Sequence, residues 1–346
     1  MSDVILDIED LRTYIPTPDG IVRAVNGVSL SVRHGRTLGI LGESGCGKTM
    51  TGLSIMRITP DPGRIVDGKI LYAPKGGGAP VDIAKLEREG KEMAHIRRRE
   101  ISMIFQEPMT AFSPVYTIGN QITEAIMLYA PDTDKQAARA RCLELLRDVG
   151  LPEARQLIDQ YPFELSGGMR QRAMIAMALA CDPRLLIADE PTTAIDVTIQ
   201  AQIIELLKSL QQKFGMAIII ITHNLGVIAE MADDVAVMYL GKVVESGTID
   251  DILENPKHPY TQALMRSIPG TAPRHSELAV IPGTVPRADR ILPGCDFQPR
   301  CSQCLEHCDK KKPGTSPVSD GHAVRCFLYS DVEEYDPTPE EVMSRG

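Results

Sequence analysis

The first forty residues carry three short apolar stretches, "VILDIEDL", "VRAVNGVSLSV" and "TLGIL", and "TPDG" separates the first two as a turn signal. They predict strands. Residues 47–58 read as a helix opening at a glycine-rich turn. Residues 60–90, with "PKGGGAP", read as a strand and loop excursion. From Thr117 to about Val149 the apolar spacing is helical, through "IGNQITEAIMLY" and "KQAARARCLELLRDVG", with Gly150 as a C-terminal cap. "MRQRAMIAMALA" predicts a further helix. "LLIADE" and "AIIIIT" are apolar without interruption at strand length, as expected of parallel strands buried on both faces. The amphipathic "IQAQIIELLKSLQQKF" between them makes this stretch a βαβ unit. After Glu254 proline becomes frequent and periodicity fades, which places a boundary near residue 255. No internal repeat is present.

Composition narrows the class only a little. The chain has 346 residues, 43% of them hydrophobic and 24% charged, as in an ordinary globular protein. A net charge of -9 offers nucleic acid no overall basic field. "MSDVILDIED" lacks the basic and apolar regions of a signal peptide, and no apolar run approaches the ~18 residues of a membrane span. Eight cysteines without an export signal point to metal ligands or incidental thiols rather than a disulfide scaffold.

"GESGCGKT", Gly42 to Thr49, follows the strand "TLGIL" and precedes a helix, the setting in which G-x-x-x-x-G-K-[ST] cradles phosphate. Its glycines (Gly42, Gly45, Gly47), with Ser44 and Cys46 between them, let backbone N–H groups turn toward anionic oxygens. Lys48 supplies charge to the β- and γ-phosphates, and Thr49 a hydroxyl to Mg²⁺. In "RLLIADEP", Asp189 ends an apolar strand, where its carboxylate can hold Mg²⁺ through water. Glu190 follows as a candidate general base. The basic Lys48 and the loop amides also favour a thiolate at Cys46, so its alkylation is expected to block turnover unless ATP protects it.

"LSGGMRQR", Leu165 to Arg172, resembles the signature motif of ATP-binding-cassette (ABC) ATPases. Other elements follow in the family's order: Gln106 in "MIFQEP" at the Q-loop, Asp196 in "AIDV" at the D-loop, and His223 in "IITHN" at the switch position. Tyr14 stands where the family places an aromatic that stacks on adenine. The resemblance covers about residues 4–250. It implies an α/β P-loop NTPase cassette, with a RecA-like core, an antiparallel β subdomain and a helical subdomain at about 107–168. It also implies a boundary between a nucleotide-binding domain at 1–254 and a cysteine-rich C-terminal extension at 255–346. Two subunits would sandwich two ATP molecules, each between one phosphate loop and the partner's Ser166, Gly167 and Gly168. Glu190, His223 and Gln106 would be catalytic, with Thr49, Gln106 and Asp189 on Mg²⁺.

"EPMTAFSPVYTIGNQI" resembles the coupling region of importers for dipeptides, oligopeptides and nickel, with Ala111, Phe112 and Ser113 departing from the usual "SLN" and so tuning contact with the permease. "NPKHPYTQALMRSIPG", Asn255 to Gly270, matches the same subfamily. The resemblance implies a peripheral ATPase on the cytoplasmic face of the inner membrane. Its partners would be two permease subunits, a second ABC ATPase (a copy or a paralogue) and a binding protein that delivers substrate, and no nucleic acid. A soluble regulatory or nucleic-acid-associated ABC ATPase is the competing class.

The tail's Cys295, Cys301, Cys308 and Cys326 follow the subfamily spacing, with gaps of five, six and seventeen residues. Four thiolates suit a four-iron four-sulfur cluster or zinc. Cys304 offers zinc-like pairs with Cys301 and Cys308. The cluster, zinc and incidental thiols all stay open, the resemblance favouring the cluster.

Overall fold

The computed structural model describes residues 3–344 except 77, 107–110, 194–195 and 268–280. Its strands are β1 Val4–Thr17, β2 Gly20–Arg33, β3 Thr37–Leu41, β4 Arg64–Tyr72, β5 Val81–Asp82, β6 Ile101–Ile104, β7 Leu185–Asp189, β8 Ala217–Thr222, β9 Asp234–Tyr239, β10 Lys242–Thr248, β11 Ser316–Ser319 and β12 His322–Val324. They form two sheets. One is antiparallel, in the order β2-β1-β4-β5. The other runs β11-β12-β10-β9-β3-β8-β7-β6, parallel from β9 to β6 and antiparallel from β9 outward through the tail strands.

β3, β7 and β8 are buried at every position, so their unbroken apolar runs serve two cores at once. On β8, Ile218 and Ile220 face one core, and Ala217, Ile219 and Ile221 the other, the two-residue alternation of a pleated strand. The second core is closed by the antiparallel sheet and the helix Lys48–Ile55. The first takes the helices Ile118–Tyr129, Lys135–Asp148, Gly167–Ala178 and Val197–Phe214. All four start where a side chain accepts a backbone N–H, Thr117 from Asn120, Asp134 from Ala137, Ser166 from Met169 and Asp196 from Ile199. Gly150 has φ 76° after the second, as a C-terminal cap requires. β7, the helix Val197–Phe214 and β8 form the expected right-order βαβ unit, with β7 and β8 parallel neighbours.

The chain after residue 255 is built into this framework. β12 pairs with β10, Glu245 opposite Val324 and Ser246 opposite Ala323. Behind that pairing Glu245, fully buried, accepts from the backbone of Lys257 and His258 at 2.6 and 2.9 Å and lies 2.8 Å from His322 Nε2. Phe297 packs on the rings of Tyr239, Tyr260 and His258. A second polar knot holds the end of the chain. Asp336, 4% exposed at its side chain, meets Lys242 at 2.9 Å, Arg23 at 3.2 Å, Lys312 at 3.6 Å and Arg12 at 3.7 Å, and accepts from Asn26 Nδ2 at 3.0 Å. These charges tie the last thirty residues to β1 and β2 and to the start of β10. Among the described residues no helix is long and apolar enough to cross a membrane.

Candidate active site

The phosphate loop leaves the C-terminal end of β3, where a parallel sheet presents its ligand crevice. Gly45 and Gly47 hold φ of 78° and 104°. A Cβ at Gly47 would sit 2.1 Å from the carbonyl oxygen of Ala24, so only glycine fits there. Ser44, Gly45 and Thr49 face solvent, while Gly42, Cys46 and Lys48 are buried. Lys48 Nζ donates to the carbonyls of Gly42 and Glu43 at 2.7 and 3.0 Å, which keeps its charge at the loop. Gly241, in the turn between β9 and β10, donates its N–H to the Cys46 carbonyl from below at 2.8 Å.

Thr49 Oγ1 donates to Asp189 Oδ1 at 3.1 Å, so the hydroxyl and carboxylate expected on Mg²⁺ are neighbours, the oxygen-rich donor set a hard cation takes. Burial pushes the Asp189 carboxyl up to about 6, against the Thr49 hydrogen bond, and a cation beside it would relieve that. Glu190, the next residue, adopts φ 45°, a strained conformation for a residue with a side chain. Its carboxylate collects three partners. Gln106 Nε2 donates to Oε2 at 3.0 Å, Thr193 Oγ1 donates to Oε2 at 2.8 Å, and His223 Nδ1 lies 2.9 Å from Oε1. Burial would raise Glu190, but the hydrogen bonds from His223 and Thr193 and the charges of His223 and Lys48 outweigh it. They hold the carboxyl below its ordinary value, ionised near neutrality. Four segments far apart in sequence thus meet at one point: the loop, Gln106, the Asp189–Glu190 pair and His223. Gln106 is engaged by Glu190 rather than by the Thr49 and Asp189 pair.

The signature segment stands elsewhere. Ser166 and Gly167 lie on the surface at the start of their helix, whose other faces pack among helices and β6. A helix N-terminus with exposed glycines is suited to an anion brought by another molecule. Asp196 is exposed and caps the helix Val197–Phe214, accepting from Ile199 N at 2.9 Å. Ala194 and Ile195 of the same motif lie outside the described residues.

Two expectations are corrected. Tyr14 is fully buried, and its hydroxyl donates to Asn26 Oδ1 at 2.8 Å, so its ring is not available to adenine. The pairing of β1 with β2 is irregular here, with a register shift between Thr13 and Tyr14, and both side chains are buried. Cys46 is not activated. It is 1% exposed, and burial pushes its thiol up despite the Lys48 ammonium 3.9 Å away. In the coupling segment, residues 107–110 lie outside the described residues, and Phe112 is 3% exposed, part of the core rather than of a contact face. The exposed apolar residues beside it are Val115 and Tyr116, which the sequence did not single out.

The four tail cysteines Cys295, Cys301, Cys308 and Cys326 line one small cavity with Phe297, Phe327 and Leu328, while Cys304 lies outside it and is exposed. The number of donors fits a four-thiolate site, and the cavity separates the four from the fifth. Among the described residues, however, no three His, Cys, Asp or Glu side chains converge as a metal-holding group. Burial raises Cys295 to about 12 and Cys326 to about 11, as expected of protonated thiols.

The ABC transporter family model matches residues 25–193, and the oligopeptide/dipeptide transporter C-terminal region matches residues 244–308. The dipeptide transport ATP-binding protein DppD of Bacillus subtilis is 46% identical over 332 residues, 96% of each chain. The oligopeptide transport ATP-binding protein AppD of the same organism is 47% identical over 328 residues, 94% of this chain and 97% of its own. Among solved structures, a dimeric post-hydrolysis state of the ATP-binding cassette MJ0796 bound to ADP and Pi superposes with TM-score 0.61 at 25% identity, covering 70% of this chain and 98% of that one. The structure of cbiO1 from Clostridium perfringens gives TM-score 0.60 at 27% identity, over 73% and 92% of the two chains. The chain therefore belongs to the ABC transporter ATP-binding proteins, and among them to those that carry the oligopeptide/dipeptide C-terminal region.

Proposed function

We propose that this protein hydrolyses ATP and couples the hydrolysis to import of peptides through a membrane permease. The observation that carries the reading is the constellation on Glu190, an ionised carboxylate held by Gln106, Thr193 and His223 beside a phosphate loop and the Thr49 and Asp189 pair. In this reading ATP would lie along residues 42–49 with Mg²⁺ between Thr49 and Asp189, and the ion would supply charge neutralisation of the phosphates. Lys48 binds the terminal phosphates. Glu190 accepts a proton from the attacking water, and His223 orients Glu190 and holds its charge. Gln106 helps hold the Glu190 carboxylate through its Nε2 hydrogen bond and would be a further ligand for Mg²⁺ once released from it. Ser166, Gly167 and Gly168 serve the nucleotide of a second ATPase subunit, with Asp196 near the joint. A signature that faces solvent in one chain supports that division.

The permease contact is supported by an exposed apolar face. Val115, Tyr116, Met127 and Leu128 are 70%, 57%, 36% and 53% exposed, and the last three line a groove of about 430 Å³ with Asn120, Glu124 and Lys135. A monomeric surface rarely leaves such residues together without a partner. The DppD and AppD relatives are transport proteins for dipeptides and oligopeptides, so peptide is the substrate proposed, delivered to the permease by a binding protein on the far side. The location proposed is the cytoplasmic face of the membrane. Tagged protein taken from solubilised membranes is expected to co-purify with two polytopic membrane proteins. Recovery with DNA or ribosomes instead would favour a soluble non-transport ATPase and overturn the reading.

The finer reading of the tail is a [4Fe-4S] cluster on Cys295, Cys301, Cys308 and Cys326. It is supported by their shared cavity, although among the described residues no three metal-ligating side chains converge. Anaerobically purified protein would then hold iron and acid-labile sulfide at about four each per chain. Zinc without sulfide, or neither, removes the cluster.

A further inference from the structure

The extension after residue 254 reaches the phosphate loop directly. Arg300, three per cent exposed at its side chain, forms a two-pronged pair with Glu43, Nη1 to Oε2 at 2.7 Å and Nη2 to Oε1 at 3.0 Å. Its remaining contacts aim it. Nε donates to the Pro282 carbonyl at 3.1 Å, Nη1 lies 3.4 Å from Tyr239 Oη, and the guanidinium sits over the rings of Tyr239 and Phe297. Tyr260, also from the extension, accepts the Glu43 backbone N–H on its hydroxyl at 2.9 Å. The Glu43 carbonyl meanwhile accepts from Lys48. The Cys46 N–H donates to the same carbonyl at 3.3 Å, so every polar group of this loop residue is engaged, and two of its four partners, Arg300 and Tyr260, belong to the extension. Cys301 follows Arg300 in the chain and lines the cysteine cavity together with Phe297.

We infer that Arg300 is a positioning residue for nucleotide: acting through Glu43, it holds the phosphate loop in its binding shape, which makes the C-terminal extension a working part of the ATP site. The inference rests on the ATP-site reading given above. In this inference Arg300 acts on the loop through the Glu43 carboxylate and not on phosphate itself. A bidentate guanidinium fixes both position and orientation of the Glu43 carboxylate, which a lysine point charge does not. When the clamp is lost, the loop samples other shapes, and apparent affinity falls by the fraction still competent. Chemistry at saturating ATP is expected to change little, because the hydrogen bonds that hold Glu190 come from Gln106, Thr193 and His223 and none of them runs through Arg300 or Glu43.

The test is Mg-ATP titration and steady-state hydrolysis by the full-length chain in four forms: wild type, Arg300→Gln, Glu43→Gln and the double variant. Each single change is expected to weaken ATP binding and raise KM roughly tenfold with kcat nearly unchanged, the double variant being no worse than either single. Arg300→Lys should recover part of the loss. A purely structural role would lower the melting temperature and the active fraction while leaving KM in place. If Arg300→Gln fails to fold, Glu43→Gln, whose carboxylate is partly exposed, carries the test alone. Unchanged ATP affinity in a folded variant, or two losses that simply multiply, would overturn the inference. A wild-type chain that binds no ATP would overturn the ATP-site reading as well, so the two failures are distinguishable.

Discussion

Glu190→Gln lowers ATP turnover by two to three orders of magnitude while ATP binding survives, within the range expected for loss of a general base. The substitution is nearly isosteric. Its amide oxygen can still accept from Gln106 and Thr193, which now donate to Oε2 at 3.0 and 2.8 Å. What disappears is the negative charge that His223 and Lys48 stabilise and the capacity to take a proton from water. Lys48, Thr49 and Asp189 are untouched, so nucleotide and Mg²⁺ are still held. On the proposed reading, in which each nucleotide is held between two subunits, the variant should accumulate with ATP bound and in association with its partner ATPase. The measurements are kcat, ATP retained after rapid gel filtration, and sedimentation with and without ATP. Turnover at the wild-type rate would remove Glu190 from the base role.

The second large effect concerns stability rather than chemistry. Asp336→Ala is expected to destabilise the fold by about 3–5 kcal/mol, the usual cost of stripping one partner from a buried charge group. Asp336 is the carboxylate shared by Lys242, Arg23, Lys312 and Arg12, and Asp296 alone cannot satisfy the cations left behind. Lys242, which burial lowers to about 8 while Asp296 and Asp336 hold it up, would face the greatest loss. Burial alone would raise the Asp336 carboxyl. The charge and hydrogen bond of Lys242, with Arg23 and Lys312, outweigh it and push the group far below the normal carboxylate range. The sign follows from that depression. The contribution is complete above the unfolded value of about 4 and is lost as pH falls from there toward the folded one. Denaturant midpoints of wild type and variant should therefore differ most near neutrality and converge in acid. Equal midpoints at pH 7 would show that the knot contributes nothing net.

The parts of this site that were legible in sequence are those whose chemistry is local. A phosphate loop is eight consecutive residues, and Asp189 and Glu190 close an apolar strand that can hardly be anything else. Ser166 caps its helix as its position before two glycines suggests. What was hidden depends on long-range packing. Tyr14 is buried where β1 pairs irregularly with β2, and alternation along the strand does not record such an irregularity. Basic neighbours of Cys46 are visible in sequence, but the burial that dominates its thiol is not. Spacing could not separate Cys304 from its neighbours, whereas the cavity does. The tail looked too poor in core to fold by itself. It draws its order from distant partners, through β12 on β10 about eighty residues away, and through Arg300 on Glu43 and Asp336 on Arg23, 257 and 313 residues away.

The central claim is that hydrolysis at Glu190 drives peptide import. Labelled dipeptide and oligopeptide uptake tests it most directly, in cells whose own copy of this gene is replaced by the wild-type or the Glu190→Gln form. Wild type is expected to restore uptake, and the variant to leave it at the level of the deletion although its protein reaches the membrane in normal amount. Equal uptake with the two forms would contradict the account.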